Sequence, residues 1–247
     1  MKKVLILGST GSIGQSTLEV IKANNKDFSI AGLVAKSNKK LLLEQANKFN
    51  VKKICLINND SKNDIFISES EIEDLIFSDQ VDIVVAAISG IAGLKTILSS
   101  IKAGKRILIA NKEPLVAAGQ ILMKEAKKSN SEIIPIDSEH CAIHQCLKNI
   151  EKEDLNRIII TCSGGPFLGK KITNFNKVSV EDALNHPVWK MGTKNLIDSA
   201  SLMNKALEII EAKWLFDLKS EQIEVIIHPQ SIIHSMVETK DNCILSV

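Results

Sequence analysis

"KVLILGSTGSIGQS", residues 3–16, decides how the first half of this chain is built. Four consecutive apolar residues, Val4 to Leu7, run straight into a turn with glycines at 8, 11 and 14. A strand that is apolar on both faces predicts burial between two layers, as in a parallel sheet. The glycines suit a tight turn, close approach of backbone N–H groups to a pyrophosphate, and close packing of helix on strand. Thr10 and Ser12 add hydroxyl donors. At a first strand-to-helix junction this GxxGxxG spacing predicts dinucleotide binding.

Working outward, the same texture recurs. Apolar runs lie at 3–8, 29–35, 52–57, 82–88, 106–110 and 132–136, with helical spacing over 16–23, 39–49, 92–103 and 115–128. Buried strands alternating with helices predict an α/β, Rossmann-like, doubly wound parallel sheet. Past residue 150 the pattern changes to strand, Gly-rich turn, long helix and several strands, an α+β arrangement. The expected domains are 1–150, binding dinucleotide, and 151–247, catalytic. The last strand is still running at Val247, so the sequence reads as a fragment.

An NAD-binding chain usually carries an acid at the end of the second strand. Here Ala35, Lys36, Ser37 and Asn38 stand there with no acid among them, which favours the 2′-phosphate of NADP(H). Overall charge is close to balanced, 31 basic against 29 acidic residues, which gives no basic surface for nucleic acid or membrane. Five cysteines with no CxxC pair argue against a disulfide framework. "MKKVLILG" is too short for a signal h-region, so a cytoplasmic protein is expected.

Several polar groups call for chemistry. Asn111, Lys112 and Glu113 follow the fifth strand, with Pro114 expected at a first helical position. "DSEHCAIHQC", residues 137–146, crowds carboxylates, imidazoles and thiols together. A zinc reading would choose Cys and His; a hard-cation reading would choose Asp137 and Glu139, which share one side of an extended segment. His140 and His144 read as polar packing, and Cys146 as part of an apolar stripe. In the long helix, expected to be capped by Asp198 or Ser199, one face carries Ser201, Asn204, Lys205 and Glu208; Met203, Leu207, Ile210 and Trp214 form the other. A third carboxylate would favour Mg²⁺ or Mn²⁺. "SGGPF" at 163–167 offers phosphate donors, and "NHPVWKMG" at 185–192 reads as a lid carrying Trp189 and Met191. His228 and His234 read as core histidines in strands.

In order, "ILGSTGSIGQSTL", "LIANKEPLV", "PIDSEHCAIHQCL", "SGGPF", "HPVWKMG", "IDSASLMNKALEIIEAKWLF" and "VIIHPQSIIHSMV" closely resemble the 1-deoxy-D-xylulose 5-phosphate reductoisomerases of non-mevalonate isoprenoid synthesis. The resemblance runs from Met1 to Val247. It implies metal ligands Asp137, Glu139 and Glu208, with Cys141, His144 and Cys146 left to helix packing. It implies substrate contacts from Lys112, Ser138, Glu139, Ser163, His186, Ser199, Asn204, Lys205 and Glu208, among which Lys112, Glu139, His186 and Lys205 would be catalytic. NADPH would touch Thr10, Gly11, Ser12, Ile13, residues 35–38, Asn111, Glu113 and Gly192.

The implied reaction rearranges a small phosphorylated sugar and reduces it to 2-C-methyl-D-erythritol 4-phosphate, with Mn²⁺ or Mg²⁺ as Lewis acid and NADPH as hydride source. A homodimer is implied as well. The family continues into a C-terminal helical domain that this sequence lacks, which predicts poor solubility or low activity. The alternative is a catalytically weak or inactive NADPH-binding fragment.

Overall fold

A computed structural model of the chain describes residues 1–58, 65–171, 176–188 and 192–247. It divides into two compact units, Met1–Ile136 and Asp137–Val247.

In the first unit β1 (Lys2–Leu7), β2 (Phe28–Ala35), β3 (Ile54–Leu56), β4 (Ile83–Ala86), β5 (Arg106–Ile109) and β6 (Ile133–Pro135) form one sheet in the order β3-β2-β1-β4-β5-β6. Every pairing is parallel. This is the doubly wound order, with the topological switch between β1 and β4. The reason lies in the strands. Val4, Leu5, Ile6 and Leu7 are all buried, so β1 needs cover on both faces. Val4 and Ile6 pack with Leu18, Leu33 and Leu42 on one face; Leu5 and Leu7 pack with Ile72, Leu75 and Ile76 on the other.

The helices are α1 (Ser12–Ala23), α2 (Lys39–Phe49), α3 (Glu69–Phe77), α4 (Leu94–Lys102) and α5 (Lys112–Ser129). Periodicity alone passes over α3, although Ser68 and Glu71 form a capping box at its start. Pro114 is the third residue of α5 rather than the first, still within the turn where a missing N–H costs nothing.

The second unit begins with α6 (Ser138–Leu147), then β7 (Leu155–Cys162), α7 (Val180–Leu184), α8 (Thr193–Ala200), α9 (Met203–Leu215), β8 (Ile223–Ile227), β9 (Met236–Thr239) and β10 (Ile244–Ser246). Its sheet runs β10-β9-β7-β8, with β7 parallel to β8 and antiparallel to β9. Ile143 of α6 and Ala212 of α9 pack on Ile158, Ile160 and Val237. That packing draws α6 into this unit, so the compact division falls at 136/137, fourteen residues before the one read from texture. Cys146 packs against the same cluster.

Three local expectations are corrected here. The long helix is two helices, broken at Leu202, whose φ of 60° ends one and starts the other; neither Asp198 nor Ser199 caps α9. The apolar side of α9 is not the covered one: Met203 and Ile210 are exposed, while Lys205 and Glu208 of the polar face are buried together with Glu211 and Ala212. His228 and His234 lie outside the strands and are half-buried, and His228 Nε2 accepts from the Ile232 and Ile233 amides.

Candidate active site

The nucleotide loop follows from the glycines. A Cβ on Gly14 would lie 2.4 Å from the Gly8 carbonyl oxygen and 2.5 Å from Ser9 Cα, so only glycine lets α1 start this close to β1. Gly11 precedes α1 without a side-chain cap, and Gly11, Ser12 and Ile13 are exposed. The first N–H groups of a twelve-residue helix therefore face outward at its positive end, which suits a pyrophosphate. Gln45 of α2 holds the loop from below, its Nε2 donating 2.9 Å to the Ser9 carbonyl inside the core. Its contribution is invisible to periodicity, because a Gln on an amphipathic helix reads as solvent-facing. We expect Gly14→Ala to destabilise the first unit by about 2 kcal/mol and to weaken NADPH binding at least tenfold. Fluorescence titration with NADPH checks this; an unchanged Kd would refute the close-approach role.

Lys36, Ser37 and Asn38 lie exposed between β2 and α2. Asn38 caps α2, accepting from the Leu41 amide at 3.2 Å. Ala35 is buried at the end of β2. Asn111, Lys112 and Glu113 stand after β5, at the same carboxyl edge of the sheet; Asn111 Nδ2 donates 2.6 Å to the Gly90 carbonyl and Lys112 is buried.

The second unit gathers the carboxylates. Asp137 precedes α6 and Glu139 sits in its first turn, so both project from a helix start and not from an extended segment. Glu208 comes across from α9 and is only 1 % exposed. One oxygen from each of Asp137, Glu139 and Glu208 lies within 4.8 Å of the others. Lys205, 6 % exposed, donates to Glu139 Oε1 at 3.1 Å and to Glu208 Oε2 at 2.5 Å. Ser138 Oγ donates to Glu139 Oε2, and Asn204 Nδ2 to Glu208 Oε1. Burial would push the Lys205 ammonium down, yet the two carboxylates outweigh it and hold its pKa above the usual lysine value. Three converging carboxylates with hard oxygen donors fit a Mg²⁺ or Mn²⁺ ion, and the cysteines stay out of the group.

Beside them, the turn after β7 places a hydroxyl. Val188 N–H donates to His186 Nδ1 at 3.1 Å, so in the neutral ring Nε2 carries the proton and donates 3.0 Å to Ser163 Oγ. Burial pushes the His186 pKa down, favouring that neutral ring. Ser163 Oγ also accepts weakly from the Gly165 amide, which leaves its own proton to donate to a ligand oxygen. Gly165 has φ of 71°, and a Cβ there would sit 2.5 Å from the Ser199 carbonyl oxygen. The turn is thus locked against the end of α8, where Ser199 is half-buried. Gly192 is exposed immediately before α8. Trp189 and Met191, the expected lid side chains, lie outside the described residues.

Behind the carboxylates His140 is fully buried. Burial alone would push its pKa down, but Glu211, Asp137 and Glu208 outweigh it and hold the imidazole up at about 9. A folded value above the ordinary 6.5 means the charged ring stabilises the fold fully below about pH 6.5 and that contribution is lost as pH rises through about 9. In EDTA, urea melts of the second unit are therefore expected to weaken between pH 7 and 9.5. His140→Gln should flatten that slope, and a slope retained in the variant would assign it to other groups.

Residues 4–119 match the family model described as 1-deoxy-D-xylulose 5-phosphate reductoisomerase, and residues 133–216 match the C-terminal domain of the same enzyme. The chain is 50% identical to that reductoisomerase from Thermoanaerobacter sp. (strain X514), and 47% identical to the one from Clostridium botulinum (strain Eklund 17B / Type B). Each alignment covers 100% of this chain and 67% of the relative, so the chain spans about two thirds of their length. A crystal structure of DOX-P reductoisomerase in complex with NADPH, fosmidomycin and magnesium superposes with a TM-score of 0.92 at 42% identity, covering 100% of this chain and 66% of that one. The Zymomonas mobilis enzyme in complex with NADPH gives 0.90 at 38% identity, covering 99% and 66%. Among the described residues no helix is long and apolar enough to cross a membrane. With two family models spanning most of the chain and a relative half identical along all of it, this chain belongs to the 1-deoxy-D-xylulose 5-phosphate reductoisomerase family.

Proposed function

We propose that this chain performs the family's reaction, the NADPH- and divalent-metal-dependent conversion of 1-deoxy-D-xylulose 5-phosphate to 2-C-methyl-D-erythritol 4-phosphate. The observation that carries this reading is the convergence of Asp137, Glu139 and Glu208 around the buried Lys205. One related structure holds NADPH and magnesium together and another holds NADPH, and the side chains gathered here suit both groups. The unit 1–136 would bind NADPH and the unit 137–247 the sugar phosphate.

When bound, Mg²⁺ or Mn²⁺ supplies Lewis acidity at the ketone and hydroxyl oxygens, and NADPH supplies the hydride. Asp137, Glu139 and Glu208 hold the ion. Lys205 holds Glu139 and Glu208 in place through its two ion pairs, and its remaining N–H donor can meet a substrate hydroxyl. Ser163 donates its free proton to a phosphate oxygen, with His186 fixing the direction of that proton; Ser199 and Asn204 extend the donor set, and Ser138 steadies Glu139. On the other unit, the exposed start of α1 takes the pyrophosphate, Lys36, Ser37 and Asn38 take the 2′-phosphate, and Asn111, Glu113 and Lys112 sit along the same sheet edge; Gly192, which the family resemblance adds to the cofactor set, belongs to the unit 137–247.

Five free cysteines support a reducing, cytoplasmic setting, and a net charge of +2 supports the absence of nucleic-acid partners. The homodimer is proposed from the family resemblance, with sedimentation equilibrium as its check. The deciding assay follows NADPH oxidation by the purified chain with 1-deoxy-D-xylulose 5-phosphate and Mn²⁺. Metal-dependent turnover supports the enzyme. NADPH binding with no turnover supports the second reading, a catalytically weak or inactive NADPH-binding chain, which the coverage of two thirds of the relatives' length makes worth separating.

A further inference from the structure

Asp137 belongs to two groups of side chains, not one. Besides the set with Glu139 and Glu208, it shares a second cluster with His140 and Glu211, whose ligand atoms also lie within 4.8 Å of one another. His140 is the link. Its Nε2 lies 3.0 Å from the Glu208 backbone carbonyl, which can only accept, so Nε2 carries a proton. Its Nδ1 faces two carboxylates, Glu211 Oε2 at 3.5 Å and Asp137 Oδ1 at 3.8 Å. Those two carboxylates are the acceptors that an Nδ1 hydrogen would meet. The ring cannot turn away, because it is fully enclosed and stacked on Phe216, centroids 6.3 Å apart and planes 19° apart. Glu211 is as deeply buried as His140.

Resting on the reading of Asp137, Glu139 and Glu208 as the metal set, we propose that Glu211 and His140 are positioning residues for it. Glu211 anchors the imidazole, and the imidazole orients Asp137 from its Nδ1 side while tying α6 to the Glu208 turn of α9 from its Nε2 side. Burying an ion pair in an apolar core is an expensive way to fill space, since well-packed apolar side chains of like volume are often as stable or more so. Here the pair touches one ligand through its side chain and another through its backbone, which is where an outer partner sets ligand geometry. No signal in the sequence marks Glu211. It follows Glu208 by three residues on a helix, and only the turn of α9 toward α6 brings it to His140.

The test measures free Mn²⁺ by its solution EPR sextet during titration of the full chain, the Glu211→Gln, His140→Gln and His140→Asn variants, with metal-free melting followed by circular dichroism. Wild type is expected to bind one Mn²⁺. Glu211→Gln, the same shape without the charge, is expected to keep its fold and lose about 10- to 100-fold in Mn²⁺ affinity. His140→Gln, whose amide reaches the Nε2 position, should lose affinity by a similar factor. His140→Asn, whose amide stands near Nδ1, should keep affinity within about threefold while melting lower, a split that simple packing would not produce. Unchanged Mn²⁺ affinity in Glu211→Gln overturns the proposal, as does a Glu211→Gln chain that cannot fold, since the pair would then be structural. Two Mn²⁺ ions on the wild type also overturn it, by making the cluster a ligand set of its own. Absence of any Mn²⁺ binding by a folded wild type defeats instead the metal set on which the proposal rests. Should a histidine variant not fold, Glu211→Gln decides alone.

Discussion

Glu208→Gln is expected to lower kcat/KM for 1-deoxy-D-xylulose 5-phosphate by at least about a thousandfold. The side chain is 1 % exposed, accepts from Asn204 and Lys205, and supplies the third oxygen of the carboxylate group. Glutamine preserves shape but removes the charge, and a Lewis acid held by a weakened set loses several kcal/mol of transition-state stabilisation, which is three or more orders of magnitude in rate. NADPH affinity should be unchanged, because the nucleotide loop belongs to the other compact unit. Steady-state kinetics in saturating Mn²⁺, beside an NADPH titration, separates the two quantities. A variant retaining more than a tenth of wild-type kcat/KM would remove Glu208 from the metal set.

The second large effect concerns the same place without its metal. Lys205 is nearly as buried as Glu208 and contacts both Glu139 and Glu208. Removing one partner of a buried ion pair strands the other charges, at a cost of about 3–5 kcal/mol. Lys205→Met should therefore destabilise the second unit by about that much in EDTA. Adding Mn²⁺ should return part of the loss, because a cation among the carboxylates replaces the missing ammonium. The rise in Tm on adding Mn²⁺ is thus expected to be larger for Lys205→Met than for wild type. Differential scanning calorimetry with and without Mn²⁺ measures both. Equal metal-induced shifts in the two proteins would show that Lys205 does not stand in for the ion's charge.

Much of the fold was legible along the chain for a simple reason. Strands buried on both faces carry uninterrupted apolar runs, and Val4–Leu7, Ile83–Ala86 and Ile107–Ile109 announce themselves whatever their neighbours are. Glycine spacing marked the turn into α1 because the constraint there is local, a Cβ against backbone a few residues away. The resemblance carried the carboxylates, which composition and spacing left open between two metal readings. What the spacing left open was orientation. Helix α9 obeys its own periodicity, but the face that turns inward is the charged one, because Lys205 and Glu211 find partners on α6 and Glu208 pairs with Lys205. Periodicity measures which residues share a side; it does not say which side is buried when charges are paired.

The sequence by itself determined the parallel doubly wound sheet, its phosphate-binding turn, and the family to which the chain belongs. Only the tertiary structure decided the break at Leu202, the grouping of α6 with the second unit, and the inward face of α9. Those three together put Glu211 against His140, 71 positions apart along the chain and 3.5 Å apart in space. A local rule reads contacts made within a few residues; an ion pair between two helices depends on how each is rotated about its axis, and packing on the shared sheet sets that rotation.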